Sequence, residues 1–512
     1  MLRSELMDLI NECEGLFPVN EWVIADVHVW PLIRNGLFFD NADEYRKLYS
    51  SSLHKTKITR RLVQIPKIIS SITRYFYAYF ADHKKNAKVV KSCDVVLLSG
   101  IITFSWLDHI WYEKFCDPII DAFRAKNISC FLMTPGRKFL FPRYSSSTFI
   151  QPRLDLNRMR GLLLYGNTVK DYDWLVEFQK MNDYLASRHN TIILTNLNAL
   201  YENTISIRYM SEIFKKIFKQ INPSVGLLVA YYSLEGMAFN LACRDLGIPS
   251  VDLQHGLQGD LHVAYGRWKS LPQGGYELLP SMFWCWSNYE AASIKKWFAK
   301  PSLGHSAFVG GNLFLEMWRS NIKNDIVGYY DENILLIKNC LPNVTHILYT
   351  LEGNEEIDKL RLMIKIMRKL GPAHHWWIRL HPGFLDQRKM VMKILSDNDA
   401  LNYIEINAAT DFPLYALLRH MDVHVTTISS VVIEAEAFGV PSVLLDKLGP
   451  ELFEKQILSG WAIPAFTVDT IMLAIETQVS RKALLKKKSD KIDLLNNHNG
   501  IDTLVKIIKE SN

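Results

Sequence analysis

Residues Val225–Trp268 read VGLLVAYYSLEGMAFNLACRDLGIPSVDLQHGLQGDLHVAYGRW, and this stretch decides the fold. Val225–Ala230 is a short unbroken apolar run, the pattern of a strand covered on both faces. Ser233 is placed to cap a helix, and Gly236–Leu246 carries Met237, Phe239, Leu241, Ala242 and Leu246 at helical spacing. Gly247 and Pro249 stop that helix and turn the chain into a second apolar run, Ser250–Leu253. The stretch predicts a βαβ unit. In open α/β sheets ligands gather beyond the carboxyl ends of the strands, where this sequence places Gln254-His255-Gly256, then Asp260, His262 and Tyr265. A glycine beside a histidine lets backbone and imidazole approach a ligand together.

The same grammar returns near the C-terminus. Val423–Thr427 precedes Ser429-Ser430, a helix is predicted over Val431–Phe438, and Gly439-Val440-Pro441-Ser442 turns into Val443-Leu444-Leu445. LGIPSVDL and FGVPSVLL are near copies. Gly-x-Pro is a common helix-to-strand turn, yet its recurrence inside two βαβ patterns predicts two similarly built α/β halves with a cleft between them.

The length of 512 residues suits two or three domains, and 48% hydrophobic with 22% charged residues describes a globular chain. No apolar run approaches a membrane span of ~20 residues. The opening MLRSELMDLINECEGLF is broken by acidic residues and lacks the apolar core of a signal peptide, so a cytosolic location is expected. Seven scattered cysteines form no Cys-x-x-Cys pair, which points to reduced thiols. The net charge of +6 is uneven: Lys55–Lys91 is crowded with Lys and Arg and holds a single acidic residue, Asp82. Aromatic residues interleave it. Such a stretch suits an anionic membrane face or an acidic glycan, or the solvated side of helices, better than nucleic acid.

Along the chain, residues 1–91 are expected to form a helical N-terminal region, with one helix opening at Trp30-Pro31. Val95–Leu98 and Ser129–Met133 are expected strands flanking a helix over Asp117–Lys126. Helices at Asp171–Leu185 and Met210–Gln220 bracket a further expected strand, Thr191–Leu194. These make a first α/β domain, 92–310. A second, 311–475, takes strands from His346–Thr350 and Trp376–Leu380, and the segment 476–512 is expected to be helical.

Three strand ends of the second domain carry candidate chemistry. Trp376–Leu380 delivers Arg379 and His381 to a Pro-Gly turn, and arginine's planar donor fork suits phosphate. Thr426–Ser430 opens a helix whose free N–H groups and the hydroxyls of Ser429 and Ser430 make an anion cradle. Glu434 lies one turn further, placed for a ribose diol or a basic partner. The third end, Leu351-Glu352-Gly353, offers Glu352 as a base whose pKa burial would raise. In the first domain, His255 is the candidate base. Asp260 is placed to orient an imidazole or act as a nucleophile, while Gln254, His262 and Tyr265 are expected to meet acceptor or sugar. Each residue also has a plain structural reading, as a cap, a surface ion pair or a turn histidine. The sequence lacks a Walker phosphate loop, a Gly-x-Gly-x-x-Gly turn, His-Glu-x-x-His and a Gly-x-Ser-x-Gly elbow. It singles out no metal ligands, and a metal-free transferase without a cofactor is expected.

Over about 92–475 the chain resembles the GT-B class of bacterial surface-polysaccharide glycosyltransferases. Arg-Leu-His-Pro at Arg379–Pro382 and Ser429-Ser430 are similar to the His-Pro and Ser-Ser motifs of sialyltransferases and Kdo transferases. Gln254-His255-Gly256 resembles the Gln-His-Gly turn of surface-carbohydrate proteins and the Trp-His-Gly turn of glycerophosphate polymerases. The resemblance implies a nucleotide-sugar donor, with CMP-linked Kdo or sialic acid as the type case. It also implies a lipid-linked or glycan acceptor and work at the cytoplasmic face of the inner membrane. Leu351-Glu352-Gly353 departs from the paired acidic residues of many sialyltransferases. Transfer of an alditol phosphate from a CDP donor, and a non-catalytic role in polysaccharide assembly, are the alternatives it leaves open.

Overall fold

The structure is a computed structural model that describes residues 1–42, 73, 92–101, 103–136, 140–165, 172–298, 304–320, 325–351, 356–398, 404–489 and 499–511. The basic stretch Lys55–Lys91 therefore lies, apart from Thr73, outside the described residues. The chain divides into two compact units, one of Met1–Phe104, Ile110–Gly311 and Asn496–Asn512, the other of Ser105–His109 and Asn312–Leu495.

The first unit holds seven parallel strands: β1 (Val95–Leu98), β2 (Cys130–Thr134), β3 (Ser147–Phe149), β4 (Val225–Val229), β5 (Ser250–Leu253), β6 (Met282–Cys285) and β7 (Ser306–Val309). Their order across the sheet is β7-β6-β5-β4-β1-β2-β3. The chain starts in the middle, winds to one edge, returns and winds to the other. The order reverses between β1 and β4, the position where such sheets open a crevice beyond the strand ends. β1 and β4 are buried along their whole length, as unbroken apolar runs require, and so is β5, although it carries Ser250 and Asp252.

The second unit repeats the plan with β8 (Thr345–Leu351), β9 (His374–Leu380), β10 (Ile404–Glu405), β11 (Val423–Thr426), β12 (Ser442–Leu444) and β13 (Ala462–Pro464). Their order is β10-β9-β8-β11-β12-β13, again all parallel. Its reversal point lies between β8 and β11. Two Rossmann-like parallel-sheet units with a helical N-terminal part are the fold class expected from the sequence.

The near-copied turns share one physical cause. Gly247 and Gly439 both sit in the left-handed region, at φ 70° and 73°. In each, the following N–H reaches back five residues, Ile248 to the Cys243 carbonyl and Val440 to the Ala435 carbonyl, both at 2.9 Å. This αL helix stop disfavours any residue with a Cβ by roughly 1 kcal/mol.

The N-terminal helices Arg3–Leu16 and Trp30–Asn41 share one apolar core with the first sheet, with Trp22 and Trp30 fully buried and packed edge to face at 6.2 Å. Thr191–Leu194, expected as a strand, is irregular. The Asn41 side chain explains it: its Oδ1 accepts the Ile193 N–H at 2.6 Å and its Nδ2 donates to the Ile193 carbonyl at 2.9 Å. An amide side chain thus satisfies the backbone groups that a neighbouring strand would have taken. The helix Asn499–Ser511 belongs to the first unit, where Gly500 lies against Gly310 and Trp284.

Candidate functional site

In the first unit, parallel pairing of Val229 with Leu253 and of Leu253 with Trp284 lines up the ends of β4, β5 and β6. His255 leaves β5 partly buried. Its Nδ1 lies 3.4 Å from the Leu253 carbonyl oxygen and its Nε2 3.1 Å from the Tyr232 hydroxyl. A carbonyl only accepts, so Nδ1 carries the proton and Nε2 accepts from Tyr232. Burial pushes the imidazole pKa down to about 4, opposed by the Leu253 carbonyl and assisted by the Lys114 charge. The ring is therefore neutral, with one basic nitrogen. Gly256 beside it lies outside the left-handed region, and a Cβ built on it meets nothing within 4 Å. The glycine keeps that space open.

The rest of the loop turns inward. Gln254 is buried: its Oε1 accepts the Trp286 N–H at 2.6 Å and its Nε2 donates to the Gly256 carbonyl at 3.0 Å, tying β5 to β6. Tyr265 is buried and donates to Asp252 Oδ2 at 2.8 Å. His262 is buried among Phe38, Phe39, Tyr232 and Tyr265 and accepts the Ala264 N–H at 3.3 Å. These three, expected to meet acceptor or sugar, hold the loop through their inward bonds. Asp260 takes Ser293 Oγ at 2.6 Å and Trp297 Nε1 at 3.2 Å on the helix Asn288–Trp297. These bonds anchor the loop to that helix.

Sequence reasoning passed over the residues that hold this loop. Asp252, fully buried on β5, accepts the Tyr231 N–H at 2.9 Å as well as the Tyr265 hydroxyl, and burial pushes its pKa up to about 7. Glu14 and Arg34 form an ion pair with both side chains fully buried. Arg34 Nε donates to the Val263 carbonyl at 3.0 Å, a second nitrogen bonds the Gly266 carbonyl, and the guanidinium lies 4.2 Å over the Trp268 ring. Glu14 also accepts Trp30 Nε1 at 2.9 Å and the N–H groups of Lys269 at 2.5 Å and Ser270 at 3.2 Å. The N-terminal helices are the clamp on the loop that follows His255. Tyr232 was also missed, though its place one residue before the Ser233 cap, at the end of a buried strand, was the available signal.

In the second unit, Leu351 pairs with Leu380 and Thr350 with Thr426, so the ends of β9, β8 and β11 lie side by side. The topology thus gathers the three candidate strand ends at one sheet edge, across its reversal point. Glu352 lies outside the described residues. His381 is exposed and its Nδ1 accepts the Gly383 N–H at 3.0 Å, which leaves Nε2 as the protonated nitrogen of the neutral ring. Ser429 Oγ accepts the Val431 N–H at 3.4 Å, while Ser430 has helical dihedrals and caps through no side-chain bond. Glu434 accepts the Tyr415 hydroxyl at 2.7 Å.

Arg379 departs most from expectation. Its Nη1 donates to the carbonyls of Ala409 at 2.7 Å and Phe412 at 2.6 Å, closing the end of the helix Asn407–Asp411. Burial lowers its pKa to about 10, and Glu434 and Asp411 oppose that shift. One nitrogen of the fork is committed to the fold. Beneath this edge a buried chain runs across the sheet: Ser442 Oγ to His424 Nδ1 at 3.0 Å, His424 Nε2 to Thr350 Oγ1 at 3.0 Å, and Thr350 to Thr426 Oγ1 at 2.9 Å. Because Thr350 gives its proton to Thr426, it accepts from His424 Nε2–H, and burial holds that imidazole neutral with a pKa of about 3.

Among the described residues no group of three or more His, Cys, Asp or Glu is placed to hold a metal ion. The sequence does contain two Asp-x-Asp triplets, Asp171–Asp173 and Asp397–Asp399, each with one aspartate outside the described residues. All seven cysteines are free, and no described helix is long and apolar enough to cross a membrane.

No protein-family model and no curated protein matches the sequence. Solved structures with a similar fold include a UDP-GlcNAc 2-epimerase from Neisseria meningitidis bound to UDP-GlcNAc, at 14% identity and a TM-score of 0.47, covering 81% of this chain and 100% of that one. A UGT transferase from Siraitia grosvenorii in complex with UDP is 11% identical with a TM-score of 0.47, covering 82% and 100%. A glycosyltransferase from Rickettsia africae is 12% identical with a TM-score of 0.44, covering 82% and 98%. No residue assignment follows from likeness at this level.

Proposed function

We infer that this chain is a glycosyltransferase that moves a sugar from a nucleotide-activated donor to a bacterial surface glycan, without a metal or cofactor. The observation that carries the reading is the state of His255: a neutral imidazole at a strand end, its proton fixed on Nδ1 and its lone pair on Nε2, beside a glycine that leaves open space. A general base needs that protonation state. A pKa near 4 gives it the basicity of a carboxylate, the usual base at an anomeric centre. That suffices because the acceptor oxygen becomes acidic as it bonds the sugar. His381 Nε2–H, the hydroxyls of Ser429 and Ser430 and the adjoining N–H groups are the donors for the leaving phosphate. Each well-placed donor is worth roughly 3 kcal/mol in such a site. The donor is a CMP-linked keto-sugar acid on this reading, and the acceptor a lipid-linked or free glycan at the inner membrane.

Titration calorimetry with CMP, CDP, UDP and GDP tests it. Binding of one nucleotide, weakened by His381→Ala, is the expected result. Binding of none would defeat the enzyme reading.

A further inference from the structure

The lone pair of His255 is already engaged. Tyr232 follows β4 by three residues and His255 follows β5 by two, and the Val229–Leu253 pairing brings their polar ends to 3.1 Å. The phenol ring is held on several sides. Phe39 of the helix Trp30–Asn41 stacks on it at 5.9 Å and 29°, Tyr265 and Tyr231 meet it edge-on at 6.1 and 5.9 Å, and His262 lies 5.5 Å away. Swinging it aside would break those contacts, each aromatic pair being worth about 0.5–1.5 kcal/mol beyond its buried area. A proton bound for Nε2 therefore meets the Tyr232 oxygen first. Tyr232 is itself partly exposed.

The geometry points to Tyr232 as a second catalytic residue, which passes the acceptor's proton to His255. This rests on the reading of His255 as the base. The acceptor hydroxyl gives its proton to Tyr232 Oη while Tyr232 gives its own to His255 Nε2. The acceptor oxygen bonds the anomeric carbon, the bond from that carbon to the phosphate oxygen breaks, and its electron pair leaves with the nucleotide. Tyr232 ends as it began, and the imidazolium returns its proton to water. Among the described residues, the charged and titratable groups around the pair are Lys114, which disfavours the imidazolium, His262, buried and neutral, and the phenols of Tyr231 and Tyr265, which burial keeps protonated.

Tyr232→Phe, His255→Gln and the double variant of the full-length protein test the relay. Each single change should lower turnover by roughly 10²–10⁴-fold with nucleotide affinity unchanged. The double variant should be no slower than the slower single one, because both act in one proton path. A spectroscopic reading needs no turnover: nitrogen NMR should find His255 protonated on Nδ1 at neutral pH, and Tyr232→Phe should raise its titration midpoint. Tyr232→Phe turning over within threefold of wild type, multiplying losses in the double variant, or an unmoved titration would overturn the relay alone. Wild-type protein that binds no nucleotide and transfers no sugar would sink the glycosyltransferase reading, and the relay with it.

Discussion

Replacing Glu14 by Ala should show how much the N-terminal helices contribute to the loop that follows His255. The change removes the carboxylate that pairs with Arg34 and accepts from Trp30 and from the backbone of Lys269 and Ser270. It leaves a guanidinium buried without its counter-charge, which costs about 3–5 kcal/mol. Domains are stable by about 5–15 kcal/mol in total, so the first unit would lose about a fifth or more of its margin. With a urea dependence of about 3 kcal/mol per molar, a loss of about 4 kcal/mol moves the unfolding midpoint down by about 1.3 M. Fluorescence is the natural assay, since buried Trp22 and Trp30 lie in the affected core. Glu14→Leu combined with Arg34→Met should cost less than Glu14→Ala alone, because an apolar pair leaves no buried charge behind. A midpoint within about 0.3 M of wild type for Glu14→Ala, on the same dependence, would show that water or another group replaces the carboxylate, and the clamp would be refuted.

Acidification should weaken the second unit. His424 has a pKa of about 3 and His346 and His375 of about 4, all lowered by burial from an ordinary 6.5. The unfolded chain takes up protons as pH falls below about 6.5 while the folded unit does not, so each site removes about 1.4 kcal/mol per pH unit down to its folded pKa. Chemical denaturation from pH 7 to 5 should show this slope, and His424→Asn should make it shallower; an unchanged slope would count against a neutral His424. His381→Ala should weaken nucleotide binding and leave thermal stability within a degree or two, because the ring is exposed. Arg379→Ala should lower stability by about 1–3 kcal/mol, because carbonyls of Ala409 and Phe412 lose a donor. Equal melting temperatures for the two variants would contradict that assignment. Gly256→Leu should fold normally, since its Cβ meets open space, yet raise the acceptor KM; an unchanged KM would place the acceptor elsewhere.

The sequence by itself determined the two sheets and where their chemistry-bearing ends fall. Val225–Val229, Ser250–Leu253, Val423–Thr426 and Ser442–Leu444 are strands within a residue or two of where their apolar runs place them, because burial on both faces demands such runs locally. The Gly-x-Pro turns were legible for the same reason: a left-handed φ is a property of one residue and its next few neighbours. His255 and His381 were legible as residues that follow such strands. What their ring nitrogens bond was not. Tertiary structure alone decided that Tyr265 bonds Asp252, that Gln254 ties two strands together, that Arg379 closes a helix end, and that Asn41 takes the place of a strand beside Ile193. It also decided that Glu14 and Arg34 clamp a loop about 230 residues further along, and that Tyr232 covers the lone pair of His255. Periodicity reports which face of an element is buried, whereas a polar side chain's role depends on which distant donor or acceptor the folded chain brings within about 3 Å of it.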